Sequence, residues 1–192
     1  MKQCATQQSP LNNDGVYLVI GGTSGIGLEI AKKLILEQHL HLVLLSRKII
    51  PDKNLWKDWL NAHSEDDENF NLIKLLNGIY LQGGNFDVIS ADVTSLASMQ
   101  IAVKKINKKI GSIKGIIHSA GVFGSGLIAN KSKAMIEKLL SSKLQGLYVL
   151  SKLFKDIQLD FVFFFSSITS VTGGIGQLEY CAANTCLDSL PN

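Results

Sequence analysis

Five short apolar runs punctuate the chain: Val16 to Ile20, His41 to Leu45, Phe86 to Ile89, Ile113 to His118 and Asp160 to Phe165. They are nearly continuous rather than alternating, which is the pattern of strands covered on both faces in a parallel sheet. Between them the spacing turns helical. Ile26, Ile30, Ala31, Leu34 and Ile35 fall on one helical face, as do Met99, Val103 and Ile106, and again Met135, Leu139 and Leu140. Strand and helix patterns in regular succession predict an α/β fold, a Rossmann-type doubly wound parallel sheet. The stretch from Asp52 to Leu81 is longer than one crossover needs. Trp56, Trp59 and Leu60 predict a short helix there, and Leu72, Leu75 and Leu76 a second. Ser64 reads as the N-cap of that second helix, with Glu65-Asp66-Asp67-Glu68 as its acidic first turn. A last helix is expected to begin near Gln177.

Composition narrows this picture. A chain of 192 residues with 46% hydrophobic and 18% charged residues suits one globular domain. Residues 1–14 are polar and read as a tail or linker, which leaves 15–192 as the domain. The tail has no apolar core of a leader peptide. The run Phe161 to Phe165 is too short to cross a bilayer. The net charge of +3 is dispersed, which argues against a nucleic-acid face yet leaves cations for a phosphorylated ligand. No membrane or nucleic-acid partner is expected. Three sparse cysteines, Cys4, Cys181 and Cys186, point to reduced thiols in a cytoplasmic protein, with Cys181 and Cys186 as packing residues.

The candidate chemistry collects at the carboxyl ends of the strands. Gly21-Gly22-Thr23-Ser24-Gly25-Ile26-Gly27 follows the first strand and opens the first helix. Glycines there allow a tight turn and a close approach to a pyrophosphate, whose charge suits a helix N-terminus. The second strand ends in Ser46-Arg47-Lys48. An acidic residue here would suit the ribose of NAD, whereas Arg47, helped by Ser46 or Lys48, suits the 2′-phosphate of NADP. Asp92-Val93, Ser119-Ala120-Gly121 and Ser166-Ser167 end the remaining strands. Such folds bind ligands at this edge. The expected cofactor set is therefore Gly21, Thr23, Ser24, Gly25, Ile26, Gly27, Ser46, Arg47, Asp92, Val93, Ser119, Ala120 and Gly121, with no metal site.

Together with His118-Ser119-Ala120-Gly121, Phe165-Ser166-Ser167 and Tyr180-Cys181-Ala182-Ala183-Asn184, the glycine loop resembles the short-chain dehydrogenase/reductase superfamily. More narrowly, the chain resembles the ketoreductase domains of modular polyketide synthases, from about Gly15 to its last residue. Leu44-Leu45-Ser46-Arg47, Ala91-Asp92-Val93 and Leu187-Asp188-Ser189-Leu190 fit the same pattern. The resemblance implies NADPH-dependent reduction of a β-ketoacyl group carried by acyl carrier protein, alongside other synthase domains. It implies a catalytic Ser167 thirteen positions before Tyr180, completed by Lys143 and Asn184. Most of the superfamily has Tyr-x-x-x-Lys with an Asn on the preceding long helix. Here Asn184 follows the Tyr and Lys143 stands on the earlier helix, the exchange that marks polyketide ketoreductases.

This set matches what carbonyl reduction requires. Hydride addition leaves negative charge on the carbonyl oxygen, which needs a hydrogen-bond donor that can then release a proton. A tyrosine hydroxyl titrates near ~10 in water, and an adjacent ammonium favours its ionisation. Lys143 is the candidate ammonium, Ser167 the group that orients the carbonyl, and Asn184 shares the helical face of Tyr180, where it could hold a water or the lysine. Ser166 reads as a turn support and His118 as a strand-end packing residue.

The chain departs from the family at Ile20, where Thr is more usual, and at Val122 to Gly126, which lacks an Asp-containing motif tied to one product configuration. Thr172 replaces the Trp tied to the other, so the configuration stays open. Family members continue beyond the last helix into a substrate lid and a further strand. The expected sheet is thus five strands in the order 3-2-1-4-5, C-terminally truncated relative to the family, with the Asp160 to Phe165 strand at an edge prone to aggregation. A free-standing short-chain dehydrogenase acting on a small ketone or alcohol is the alternative within the class, and a non-catalytic NADP-binding fragment the alternative outside it.

Overall fold

The computed structural model describes residues 11, 15–121, 124 and 126–189. Leu11 is therefore the one described position of the expected tail, and it packs against the core. Five parallel strands form one sheet: β1 (Val16–Ile20), β2 (His41–Ser46), β3 (Phe86–Ser90), β4 (Ile113–His118) and β5 (Phe161–Phe164). Their order is β3-β2-β1-β4-β5, as expected from the sequence. The helices are α1 (Gly25–Gln38), α2 (Trp56–Ala62), α3 (Phe70–Leu81), α4 (Leu96–Lys109), α5 (Lys133–Leu153), α6 (Thr169–Thr172) and α7 (Leu178–Asp188).

Strand β1 shows how the continuous apolar pattern works. Leu18 and Ile20 point into a layer with Met99 and Ile106 of α4 and Val149 and Leu150 of α5. Tyr17 and Val19 point the other way, onto Ala31 and Ile35 of α1 and Ile73 and Leu76 of α3. A strand with helices on both sides needs apolar residues at every position. Trp56 is wholly buried against Phe86, with ring centroids 6.0 Å apart, and its indole N–H donates to the Pro51 carbonyl at 2.8 Å. It anchors the α2–α3 excursion to the β3 edge.

The sheet register sets up the site. Ile20 pairs with Leu45 on one side and His118 on the other, and Leu45 pairs with Ile89. The strands therefore end level, and their following residues share one rim.

Four expectations fail locally. The acidic run does not open α3, which starts at Phe70 with Asn69 as its N-cap. The Asp67 carboxylate accepts from the Asn69 N–H at 2.8 Å, while the Asp67 and Phe70 N–H groups donate to Ser64 and Asp67 carbonyls. The Asp67 carboxylate is used in a local turn, a competing bonding mode for Asp, while Glu65 and Glu68 lie 3.7 and 3.9 Å from Lys74 and Lys48. Met135 is 56% exposed although Leu139 is buried, and Ile26 is 62% exposed rather than packed with Ala31 and Ile35. Cys186 is exposed rather than packed. At the edge, β5 buries only part of its run: Val162 is 44% and Phe163 53% exposed.

Candidate active site

The carboxyl rim contains a cleft of about 340 Å³. Every residue of the expected cofactor set lines it except Gly27. Gly27 lies beneath: a Cβ there would sit 2.2 Å from Ser119 Oγ and 2.5 Å from the Gly21 carbonyl oxygen. Its glycine lets α1 seat directly on the β1 and β4 ends. Gly21 holds φ at +82°, and a Cβ on it would meet the Ala120 backbone N at 2.8 Å. Ser24, the N-cap of α1, makes no side-chain cap bond, and the first turn carries no acid. The N–H groups and dipole of α1 thus face the cleft without an internal anion. Arg47 is exposed and lines the same cleft. Lys48, by contrast, leans 3.9 Å from Glu68, and Ser46 Oγ accepts from the Lys48 N–H at 3.1 Å. The Asp92 carboxylate bonds Thr94 N and Oγ1 at 2.9 and 2.7 Å, which shapes the turn after β3. This combination of a bare helix N-terminus, hydroxyls and one guanidinium fits a phosphorylated dinucleotide.

A second cavity, about 160 Å³, adjoins it through shared Ile26, Ser119 and Gly121. Lys143, Phe165, Ser166 and Tyr180 complete its wall. Ile26 is exposed because it lines both spaces. Lys143 of α5 is 7% exposed, and its Nζ donates to Asn184 Oδ1 at 2.7 Å and to the Phe165 carbonyl at 2.6 Å. Since an ammonium only donates, the amide of Asn184 must present its oxygen. Its nitrogen then donates to the Tyr180 carbonyl at 2.8 Å, one turn back in α7. Asn184 Oδ1 thus receives the lysine in this arrangement. Lys143 Nζ stands 5.9 Å from the Tyr180 ring centroid. Burial pushes the Lys143 pKa down, and the Asp188 charge opposes that shift. Asp188 itself is held below the ordinary carboxylate value, foremost by a hydrogen bond from Ser166. Ser166 thereby ties the end of β5 to the end of α7.

The structure brings Lys143, Tyr180 and Asn184 together, but Ser167 behaves differently. Ser166, not Ser167, lines the cavity. Ser167 Oγ lies 2.9 Å from Thr169 Oγ1 and accepts from Thr169 N at 3.3 Å as α6 begins. The Thr169 N–H fills one Ser167 lone pair, and either hydroxyl of the Ser167–Thr169 pair can supply the hydrogen they share. His118, 3% exposed, has no partner for Nε2, and burial followed by the nearby Lys143 charge lowers its pKa to about 4. It is a neutral packing group at neutral pH. Thr94 of the β3 turn and Lys138, Ser141 and Ser142 of α5 also line the larger cleft. Thr94 adjoins Asp92-Val93 and could have been included by proximity. The α5 residues carry no motif.

The KR domain family matches residues 15–192, and the chain belongs to that family. It is an oxidoreductase domain of the ketoreductase type. It is 32% identical over 177 residues to a 6-methylsalicylic acid synthase of Aspergillus terreus, covering 92% of this chain and 10% of that protein. A crystal structure of a ketoreductase domain from the bacillaene assembly line superposes with a TM-score of 0.78 at 30% identity, covering 97% of this chain and 40% of that one. A short chain dehydrogenase from Mycobacterium avium shares the fold, with a TM-score of 0.71 at 17% identity over 91% of this chain and 60% of that one. The chain thus spans about a tenth of the synthase and two fifths of the solved ketoreductase. Among the described residues no helix is long and apolar enough to cross a membrane.

Proposed function

We propose that this chain carries the nucleotide-binding and catalytic core of an NADPH-dependent ketoreductase, which reduces a β-ketoacyl thioester on acyl carrier protein to the β-hydroxyacyl product. Other domains of a polyketide-type synthase would supply and consume that acyl chain, and two unpaired thiols, Cys181 and Cys186, suit a cytoplasmic setting. The observation that carries the reading is the Lys143–Asn184 pair behind Tyr180, next to a cleft built for a dinucleotide.

NADPH supplies the hydride when bound. Gly21 to Ile26 would hold its pyrophosphate at the α1 N-terminus, Arg47 its 2′-phosphate, and Asp92, Val93 and Ser119 to Gly121 the cleft floor. Ser167, thirteen positions before Tyr180 but outside the wall of the smaller cavity, would have to turn from Thr169 to donate its hydroxyl hydrogen to the substrate carbonyl oxygen and orient it. Tyr180 donates to the same oxygen and delivers its proton as charge develops there. Lys143 stabilises the phenolate that remains, and Asn184 fixes the lysine by accepting one of its N–H groups. The Phe165 carbonyl fixes a second.

The test is turnover with a β-ketoacyl pantetheine thioester, followed as loss of nicotinamide absorbance. NADPH consumption with product formation supports the reading. Tight NADPH binding with no reduction of any β-ketoacyl thioester contradicts it.

A further inference from the structure

Outside the catalytic set, Lys131 and Glu179 form the most deeply buried ion pair among the described residues, with side chains 4% and 6% exposed. Lys131 ends the segment that follows β4, directly before the Ser132 N-cap of α5. Glu179 lies in the first turn of α7, one residue before Tyr180. The Lys131 ammonium donates to the Glu179 carboxylate and, at 2.9 Å, to the Gly176 carbonyl. The Gly126 N–H donates to that same carbonyl at 3.0 Å. Two backbones meet there: Gly176 holds φ at +73°, and a Cβ on it would lie 3.0 Å from Gly126 N.

The turn before α7 has little stiffness of its own. Gly173 and Gly176 both take positive φ, Gly174 lies between them, and the N-cap Gln177 makes no side-chain cap bond. Helix starts of this kind fray unless something outside them holds the orphan groups. The Lys131 ammonium, just before α5, anchors this start through the Gly176 carbonyl and the Glu179 carboxylate rather than through the orphan N–H groups, and it keeps Glu179 ionised below the usual glutamate range. α5 and α7 are thus joined by two polar rungs. The lower, Lys143 with Asn184, is in the catalytic set. The upper, Lys131 with Glu179, touches neither cavity.

We infer that Lys131 and Glu179 are positioning residues, which set where Tyr180 stands relative to Lys143 by fixing the first turn of α7 to the start of α5. The inference rests on the ketoreductase reading for its kinetic consequence, but its structural consequence can be read separately. Displacing a reacting group by about 1 Å costs on the order of 100-fold in rate.

The test compares wild type with Lys131→Met, Lys131→Arg and the double variant Lys131→Met/Glu179→Leu. Kinetics, NADPH affinity, melting temperature and amide hydrogen exchange over 178–181 are measured for each. Lys131→Met should lower kcat roughly 10- to 100-fold, with KM and NADPH affinity within about threefold of wild type. Lys131→Arg should restore most of the loss. The double variant removes both buried charges, so it should regain melting temperature. Its kcat should stay low and its 178–181 amides should exchange faster than in wild type. A double variant that recovers both stability and kcat makes the pair merely structural and overturns the inference. Should Lys131→Met not fold, the double and arginine variants carry the same comparison. If wild type reduces no β-ketoacyl thioester, the functional reading falls and exchange alone decides. Faster exchange at 178–181 in the double variant sustains the pair's role, and unchanged exchange refutes it.

Discussion

His118 gives the most closely bounded prediction. Its ring is buried beside Phe164, Val93 and Gly146, with a Cβ on Gly146 reaching within 3.0 Å of Nε2. It titrates at about 4 in the folded chain against about 6.5 when unfolded. Between those values the unfolded chain binds a proton that the native one refuses. Stability from this ring is therefore full above about 6.5 and is lost as the pH falls towards 4. Going from pH 7 to pH 5 should remove roughly 2 kcal/mol through His118 alone, a sizeable share of an ordinary domain's 5–15 kcal/mol. The carboxylates held low, Asp87 by His41, Glu179 by Lys131 and Asp188 by Ser166, have ordinary values of 3.8 to 4.5 and act below this window. Urea unfolding at pH 7, 6 and 5 measures the slope directly. His118→Asn lowers stability at every pH but should flatten the slope between pH 7 and 5. Equal slopes in variant and wild type would refute the reasoning.

Three further outcomes follow from the geometry. Arg47→Ala should weaken NADPH binding roughly 10- to 100-fold, the scale of a charge-assisted hydrogen bond, while NADH binding changes by less than about twofold; equal losses in fluorescence titrations would remove the 2′-phosphate role. Asn184→Leu strips the Lys143 ammonium of its buried side-chain acceptor, so it should cost about 1–3 kcal/mol by denaturation and suppress turnover more than cofactor binding. Phe163→Lys, on the exposed β5 edge, should reduce self-association in light scattering with stability changed by no more than about 0.5 kcal/mol.

Much of this was legible in the residues because strand burial and loop chemistry are local. Val16 to Ile20 is apolar at every position because helices cover both sides, and its ending in glycines announced the turn at the rim. The Tyr180–Asn184 spacing placed both on one face of α7, and the structure joins them through the Asn184 side chain. What escaped depends on partners distant in sequence or on competing local bonds. The acidic run looked like a helix start, but Asp67 caps its own turn instead. Ser167 stands at the expected spacing, yet its oxygen also receives Thr169 at the start of α6. Lys131 and Glu179 are 48 positions apart and belong to no motif, so only the packing of α5 on α7 brings them together. Ile26 has the spacing of a core residue but faces the clefts, since periodicity cannot distinguish a core from a ligand site.

The central claim is hydride transfer to a β-keto carbon with proton delivery from Tyr180. Its most direct test is a single turnover with NADPH deuterated at the transferable position and a β-ketoacyl thioester, analysed by mass spectrometry. Wild type should yield a β-hydroxyacyl product one mass unit heavier than the protonated control, and Tyr180→Phe, with NADPH still bound, should yield almost none. A wild-type product without the label, or equal labelled product from Tyr180→Phe, would contradict the account.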